Sequence, residues 1–76
     1  MTIQTETLRK LCIDHEWFTN GSKKQYVKLF EANRKGASVA ELASMIWMCT
    51  DCEALGTNHR EIRLTLQEYA DSESQW

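Results

Sequence analysis

The feature that most constrains the fold is the longest apolar run in the chain, residues 38–49, which read SVAELASMIWMC. Apolar residues recur in it at the three- and four-residue intervals of an α-helix, not at the two-residue interval of a strand. The stripe consists of Val39, Leu42, Ala43, Ile46 and Cys49. A helix that is apolar around most of its circumference usually packs on several sides. We therefore predict that Ser38–Cys49 is the central buried helix of the protein.

The rest of the composition favours a small helical domain. The chain has 76 residues, of which 26% are charged and 42% hydrophobic, with three glycines and no proline. These are ordinary globular values, and the scarcity of turn residues suits helices joined by short links. We predict an all-α, compact bundle of about four short helices. Residues 1–70 are predicted to form the single domain and residues 71–76 a flexible acidic tail.

Local signals mark the boundaries of the other helices. The first is predicted from about Thr5 to about Glu16. The second follows a capping box at residues 22–25 and ends before Gly36, and the fourth runs from Asn58 to about Ala70. Residues 50–56 are predicted to be a loop or a frayed helix extension that ends at glycine. Residues of these helices predicted to face the core are Leu8, Leu11, Cys12, Tyr26, Leu29, Phe30, Ile62, Leu66 and Tyr69.

The central helix carries more large apolar side chains than a small core needs. Met45, Trp47 and Met48 widen its apolar surface beyond the core stripe. Grouped exposed apolar residues indicate a protein-binding or dimerisation surface. The alternative is that the first and fourth helices cover both sides of the central helix. Trp17 and Phe18, two aromatics next to the turn at residues 19–21, are predicted to plug one end of the core.

Cysteine and histidine occur at two spacings that zinc sites also use. Cys12 with His15, and Cys49 with Cys52, each have two intervening residues. Cys12 and Cys49 fall on core stripes, however, where a free cysteine behaves as a small hydrophobe. We therefore predict no metal, with these two residues inward and Cys52 in solvent. The pair at 49–52 lies at a helix C-terminus, where the helix dipole disfavours a thiolate, so a redox motif is not predicted.

No motif for catalysis is recognisable in the sequence. It contains no glycine loop for phosphate, no paired acids and no evident nucleophile–base pair. The prediction is a non-enzymatic protein without a cofactor. It is predicted to act as an adaptor or regulatory module that binds a protein partner or a second copy of the chain.

The alternative function is DNA binding. Residues 36–43 resemble the first helix of a helix-turn-helix, but Trp47 stands where the turn usually has glycine. A longer turn would make residues 58–70 the recognition helix. The residues that would face DNA are Asn58, His59, Arg60 and Arg63. The net charge of −2 weighs against this alternative, since phosphate contacts dominate DNA affinity.

The hydropathy of the chain predicts a cytoplasmic protein that does not bind membranes. No run approaches the roughly 20 apolar residues that span a bilayer, and the N-terminus lacks the apolar region of a signal peptide. The odd number of cysteines, three, agrees with reduced thiols in a cytoplasm.

Several short runs resemble those of a group of small, uncharacterised proteins of Gram-positive bacteria and their phages. The runs are Trp17-Phe18-Thr19 with Gly21, Gln25-Tyr26 with Lys28-Leu29-Phe30, Gly36-Ala37-Ser38, Glu41-Leu42-Ala43, and Ile46-Trp47 with Cys49. The resemblance covers roughly residues 8–70 and rests mostly on core and capping positions. It implies a shared fold and a bacterial or mobile-element setting, and it implies no activity.

Overall fold

A computed structural model of the protein describes residues 3–74 and the side chains of residues 3–72. This part of the chain forms five α-helices and no strand. They are α1 (Thr5–Asp14), α2 (Lys23–Arg34), α3 (Val39–Met48), α4 (Cys52–Leu55) and α5 (His59–Ser74). Helix α3 packs against both α2 and α5, while α1 packs against α2. The prediction of an all-α bundle organised around the third long helix is confirmed.

Side-chain caps set the start of α2 and α3. The Ser22 hydroxyl accepts a hydrogen bond from the Gln25 backbone N–H, and the Gln25 side chain accepts one from the Ser22 N–H at 2.8 Å. This is the reciprocal capping box that the sequence predicts. Ser38 caps α3 by accepting from the backbone N–H of Glu41 at 3.2 Å. Between the two helices Gly36 has a φ of 89°, which a residue with a side chain rarely adopts.

The core lies where the apolar stripes of the helices meet. From α3, Leu42, Ala43 and Ile46 are fully buried, and Cys49 just beyond its end is buried as well. The side chains that surround them in the core include Leu8, Leu11, Cys12, Trp17, Phe18, Leu29, Ile62 and Leu66. Most of the predicted core is therefore confirmed, including the two adjacent aromatics.

Helix α5 differs from its prediction in two respects. Tyr69 was predicted to face the core, but it is 42% exposed, because the buried residues Ile62, Leu66 and Ala70 repeat every four positions. The predicted end at Ala70 is also wrong, since the helix continues to Ser74. No glycine or proline interrupts residues 71–74, and the Gln67 side chain donates to the Asp71 carboxylate one turn later. The last two residues of the predicted tail lie outside the described part of the chain.

Two other boundaries are corrected. Helix α1 ends at Asp14, two residues before its predicted end, because Glu16 has a left-handed backbone with a φ of 56°. The segment 50–56, predicted as a loop or a frayed extension, contains the separate single turn α4. Asp51 caps this turn by accepting from the Ala54 N–H, and the turn ends at a left-handed Gly56.

A buried asparagine fastens the N-terminal segment to α2. The Ile3 backbone N–H donates to the Asn33 side-chain oxygen at 3.3 Å, and the Asn33 amide donates to the Ile3 carbonyl at 2.6 Å. Both residues are almost completely buried. The two hydrogen bonds give partners to buried polar groups of both residues. Without these bonds, burial of the polar groups would destabilise the folded protein.

Candidate functional site

The turn after α1 has a strained backbone. Glu16 and Phe18 have φ angles of 56° and 65°, a region that costs residues with a side chain roughly 1–2 kcal/mol each. Glu16 is exposed, whereas the Phe18 side chain is buried. Strain of this kind persists only where the surrounding structure fixes it, and it concentrates at functional sites.

Contacts with the end of α3 fix the position of Phe18. Its backbone N–H donates to the Thr50 hydroxyl at 2.9 Å, and that hydroxyl donates to the Ile46 carbonyl at 2.6 Å. Two residues later, the Asn20 N–H donates to the Cys49 carbonyl at 2.8 Å. A Cβ on Gly21 would lie 2.5 Å from the Phe18 ring, so only glycine permits this approach. The turn is therefore held tightly against the C-terminal end of α3.

The held Phe18 ring lines an apolar groove between α2 and α3. We call it the α2–α3 groove, and its lining residues are Phe18, Gln25, Lys28, Met45, Met48 and Cys49. Met48 lies 77% exposed, while Met45 is half-buried. The groove encloses about 190 Å³. Small-molecule pockets usually have roughly 300–1,000 Å³, so the size of this groove matches a single inserted side chain.

The three residues predicted to form an interaction surface separate into two places. Met45 and Met48 lie together on the α2–α3 groove. Trp47 is 44% exposed and contacts His59 of α5, with the ring centroids 6.2 Å apart and the rings nearly perpendicular. The apolar surface beyond the core stripe of α3 therefore faces α2 on one flank and the start of α5 on the other.

Ser44 and His59 form a contact that sequence reasoning missed. The Ser44 hydroxyl lies 2.8 Å from His59 Nε2, which joins the middle of α3 to the first residue of α5. This is the distance of a nucleophile–base pair, which the separation of 15 positions hides in the sequence. Nucleophilic catalysis also requires a substrate pocket and an orienting group for the base. Neither residue lines the α2–α3 groove, and the hydrogen bond joins two packed helices.

The four candidate DNA-contacting residues do not all present free side chains on one surface. The Asn58 side chain caps α5 by accepting from the Glu61 backbone N–H at 3.0 Å, and His59 is engaged with α3. Arg60 and Arg63 are exposed on α5. Two of the four predicted residues therefore have structural partners, and two face solvent.

The cysteines and His15 lie in different environments. Cys12 and Cys49 are buried, as predicted. The prediction that Cys52 lies in solvent is wrong, since this residue is half-buried and its thiol donates weakly to the Trp47 carbonyl. His15 is exposed and stacks on Trp17, with the ring centroids 4.8 Å apart. Among the side chains of residues 3–72, no three histidine, cysteine or acidic groups are arranged to hold a metal ion.

Alkaline pH is expected to destabilise the protein through its buried thiols. Burial raises the pKa of the Cys12 thiol from 9.0 to about 12, and burial also raises the pKa of Cys49. A pKa raised by folding adds stability below the pKa of the unfolded chain, and that stability is lost as the pH rises toward the folded value. The free energy of unfolding should therefore fall above about pH 9, by at most about 1.4 kcal/mol per pH unit for Cys12.

Urea unfolding at about pH 8 and about pH 10 measures this loss. The Cys12→Ala variant is the matched control, because it lacks the main titrating thiol and should lose less stability between the two conditions. Equal losses in the two proteins would contradict the assignment to Cys12.

A comparison of the chain with protein families, with curated proteins and with solved structures gave no match. Among the described helices, none combines the length and the hydrophobicity that crossing a bilayer requires.

Proposed function

We propose that the protein is a non-enzymatic module that binds a protein partner through the α2–α3 groove. The single observation that carries the proposal is Met48, whose side chain is 77% exposed at the edge of an apolar groove. Exposed apolar side chains grouped beside a concave surface are typical of protein-binding sites. Methionine is suited to such a site because its flexible, polarisable side chain adapts to different partners.

The backbone that carries the groove residues is fixed by packing and hydrogen bonding, which supports the same proposal. Phe18 is held in a left-handed conformation by a hydrogen bond to Thr50, while Met45 and Met48 extend from a helix packed into the core. A preformed apolar surface loses less conformational entropy on binding than a flexible one does. The small volume, about 190 Å³, favours an anchoring side chain of a partner over a free small molecule.

DNA binding through α5 is the weaker candidate. It rests on the exposure of Arg60 and Arg63. The same helix exposes Glu61, Glu68 and Asp71, whose negative charges oppose contact with phosphates. Asn58 and His59 are engaged within the protein, which removes half of the predicted contact set.

A selection of binders from a displayed random-peptide library tests the proposal. Peptides selected on the wild-type protein should bind the Met48→Ser variant at least tenfold more weakly, a loss of about 1.4 kcal/mol or more. Leu64→Ser is the matched control, since Leu64 is an exposed apolar residue of α5, outside the groove. Selected peptides that bind Met48→Ser as well as wild type, but fail on Leu64→Ser, would locate the binding surface elsewhere.

A further inference from the structure

The charge of the residues around the α2–α3 groove indicates which class of partner the groove binds. We infer that the groove binds an acidic peptide segment that inserts one bulky apolar side chain beside Met48. This inference rests on the proposed function, because it assumes that the groove is a protein-binding site. It adds the chemical class of the partner and the end of the groove at which the partner's acidic residues lie.

The basic residues of the protein are concentrated on and just after α2, the helix that contributes Lys28 to the groove. Residues 23–35 contain five of the nine basic residues of the chain and only one of its eleven acidic residues. The remainder of the chain is therefore strongly acidic, although the net charge is only −2. This segregation produces a positive surface on α2 that would attract a partner of opposite charge and speed its association.

The positive charge is greatest at the N-terminal half of α2. Lys24 and Lys28 are exposed one helical turn apart, Lys28 lines the groove, and the first turn of the helix contains no acidic residue. The helix dipole adds partial positive charge at the same end. Glu31 follows on α2, and Glu41 lies beside Lys35 at the other end of the α2–α3 contact. The partner's acidic residues are therefore expected near Lys24 and Lys28.

The lining of the groove supplies the second requirement on the partner. Phe18, Met45, Met48 and Cys49 present apolar surface, and Lys28 is the one charged residue of the lining. A purely anionic ligand would leave this surface uncovered, whereas a bulky apolar side chain would bury it and be stabilised by the hydrophobic effect. An acidic segment with an apolar side chain complements both the positive charge of α2 and the apolar lining of the groove. Duplex DNA would complement only the charge.

The peptides selected from the random library provide the first test. The selected pool should be enriched in aspartate and glutamate and should carry at least one leucine, methionine or aromatic residue. A pool that is neutral or basic overturns the inference. If such peptides still lose binding to Met48→Ser, the proposed function survives while the inference about charge fails. If no peptide is enriched, both fail.

Charge reversal provides the second test. In the double variant Lys24→Glu and Lys28→Glu, selected peptides should bind at least tenfold more weakly at low ionic strength, and the difference should shrink as salt is added. Lys10→Glu is the matched control, because Lys10 is an exposed lysine of α1, outside the groove. Circular dichroism would establish that all variants stay helical. Unchanged binding in the double variant overturns the inference, as does tighter binding of a random-sequence DNA duplex than of the peptides.

Discussion

The Ile46→Ala variant is expected to be largely unfolded at room temperature. Ile46 is completely buried in the last turn of α3 and belongs to the core. Truncating such a side chain removes its transfer free energy and leaves a cavity, for a combined cost of about 2–5 kcal/mol. A core of this size contributes only about 3–5 kcal/mol in total, so the loss takes most of the stability. Circular dichroism with urea titration measures it.

Two further variants allow the stability change to be measured even if Ile46→Ala is too unfolded to titrate. Ile46→Val should retain the fold and lose about 0.5–1.5 kcal/mol, which a urea midpoint resolves even if the alanine variant is unfolded. Met48→Ala is the matched control on the same helix, and its exposed side chain should make its effect smaller than about 0.5 kcal/mol. A loss below about 1 kcal/mol for Ile46→Ala would mean that α3 is not the central helix.

Asn33→Ala is expected to lower the free energy of unfolding by about 1.5–3 kcal/mol, the cost of the cheaper of two responses. The substitution removes both hydrogen bonds that the buried Asn33 side chain makes with the backbone of Ile3. If Ile3 stays in place, its N–H and C=O groups are buried without partners, at about 1–3 kcal/mol each. If Ile3 instead leaves the core, the protein loses about 1.5–3 kcal/mol of hydrophobic burial.

Chemical denaturation of Asn33→Ala should show a lower midpoint, with little change in the slope if only stability is affected. The neighbouring exposed residue supplies the control, since Arg34→Ala should stay within about 0.5 kcal/mol of wild type. Amide hydrogen exchange at Ile3 should quicken in the asparagine variant and not in the control. An Asn33→Ala protein as stable as Arg34→Ala would contradict the docking of Ile3 on α2.

Features that depend on neighbours in sequence were predictable. The Ser22 capping box and the Ser38 cap each join residues three positions apart, and the positive φ of Gly36 follows from its place after α2. The core stripe of α3 follows from helical periodicity alone. These elements depend on short-range hydrogen bonds and on side-chain spacing, which a single sequence contains.

Contacts between distant residues were not predictable by the same rules. Ile3 and Asn33 are 30 positions apart, and Phe18 and Thr50 are 32 apart, so no local pattern connects them. The pairing of Ser44 with His59 depends on how α5 packs on α3. The groove was predictable only in part. Met45 and Met48 stand out in the sequence, but nothing in the sequence indicates the strained conformation of Phe18.

The proposal that the α2–α3 groove binds a protein partner is tested most directly by nuclear magnetic resonance of the methionine methyl groups. The chain has three methionines, and two of them line the groove, so a sample labelled at the methyl groups of methionine and leucine gives few methionine signals and also reports on Leu64. Signals of Met45 and Met48 are assigned by replacing each in turn with leucine. On titration with a selected peptide, both signals should shift and saturate at the same dissociation constant, and Leu64 of α5 should not shift. Saturating shifts at Leu64, with the Met45 and Met48 signals unmoved, would contradict the proposal.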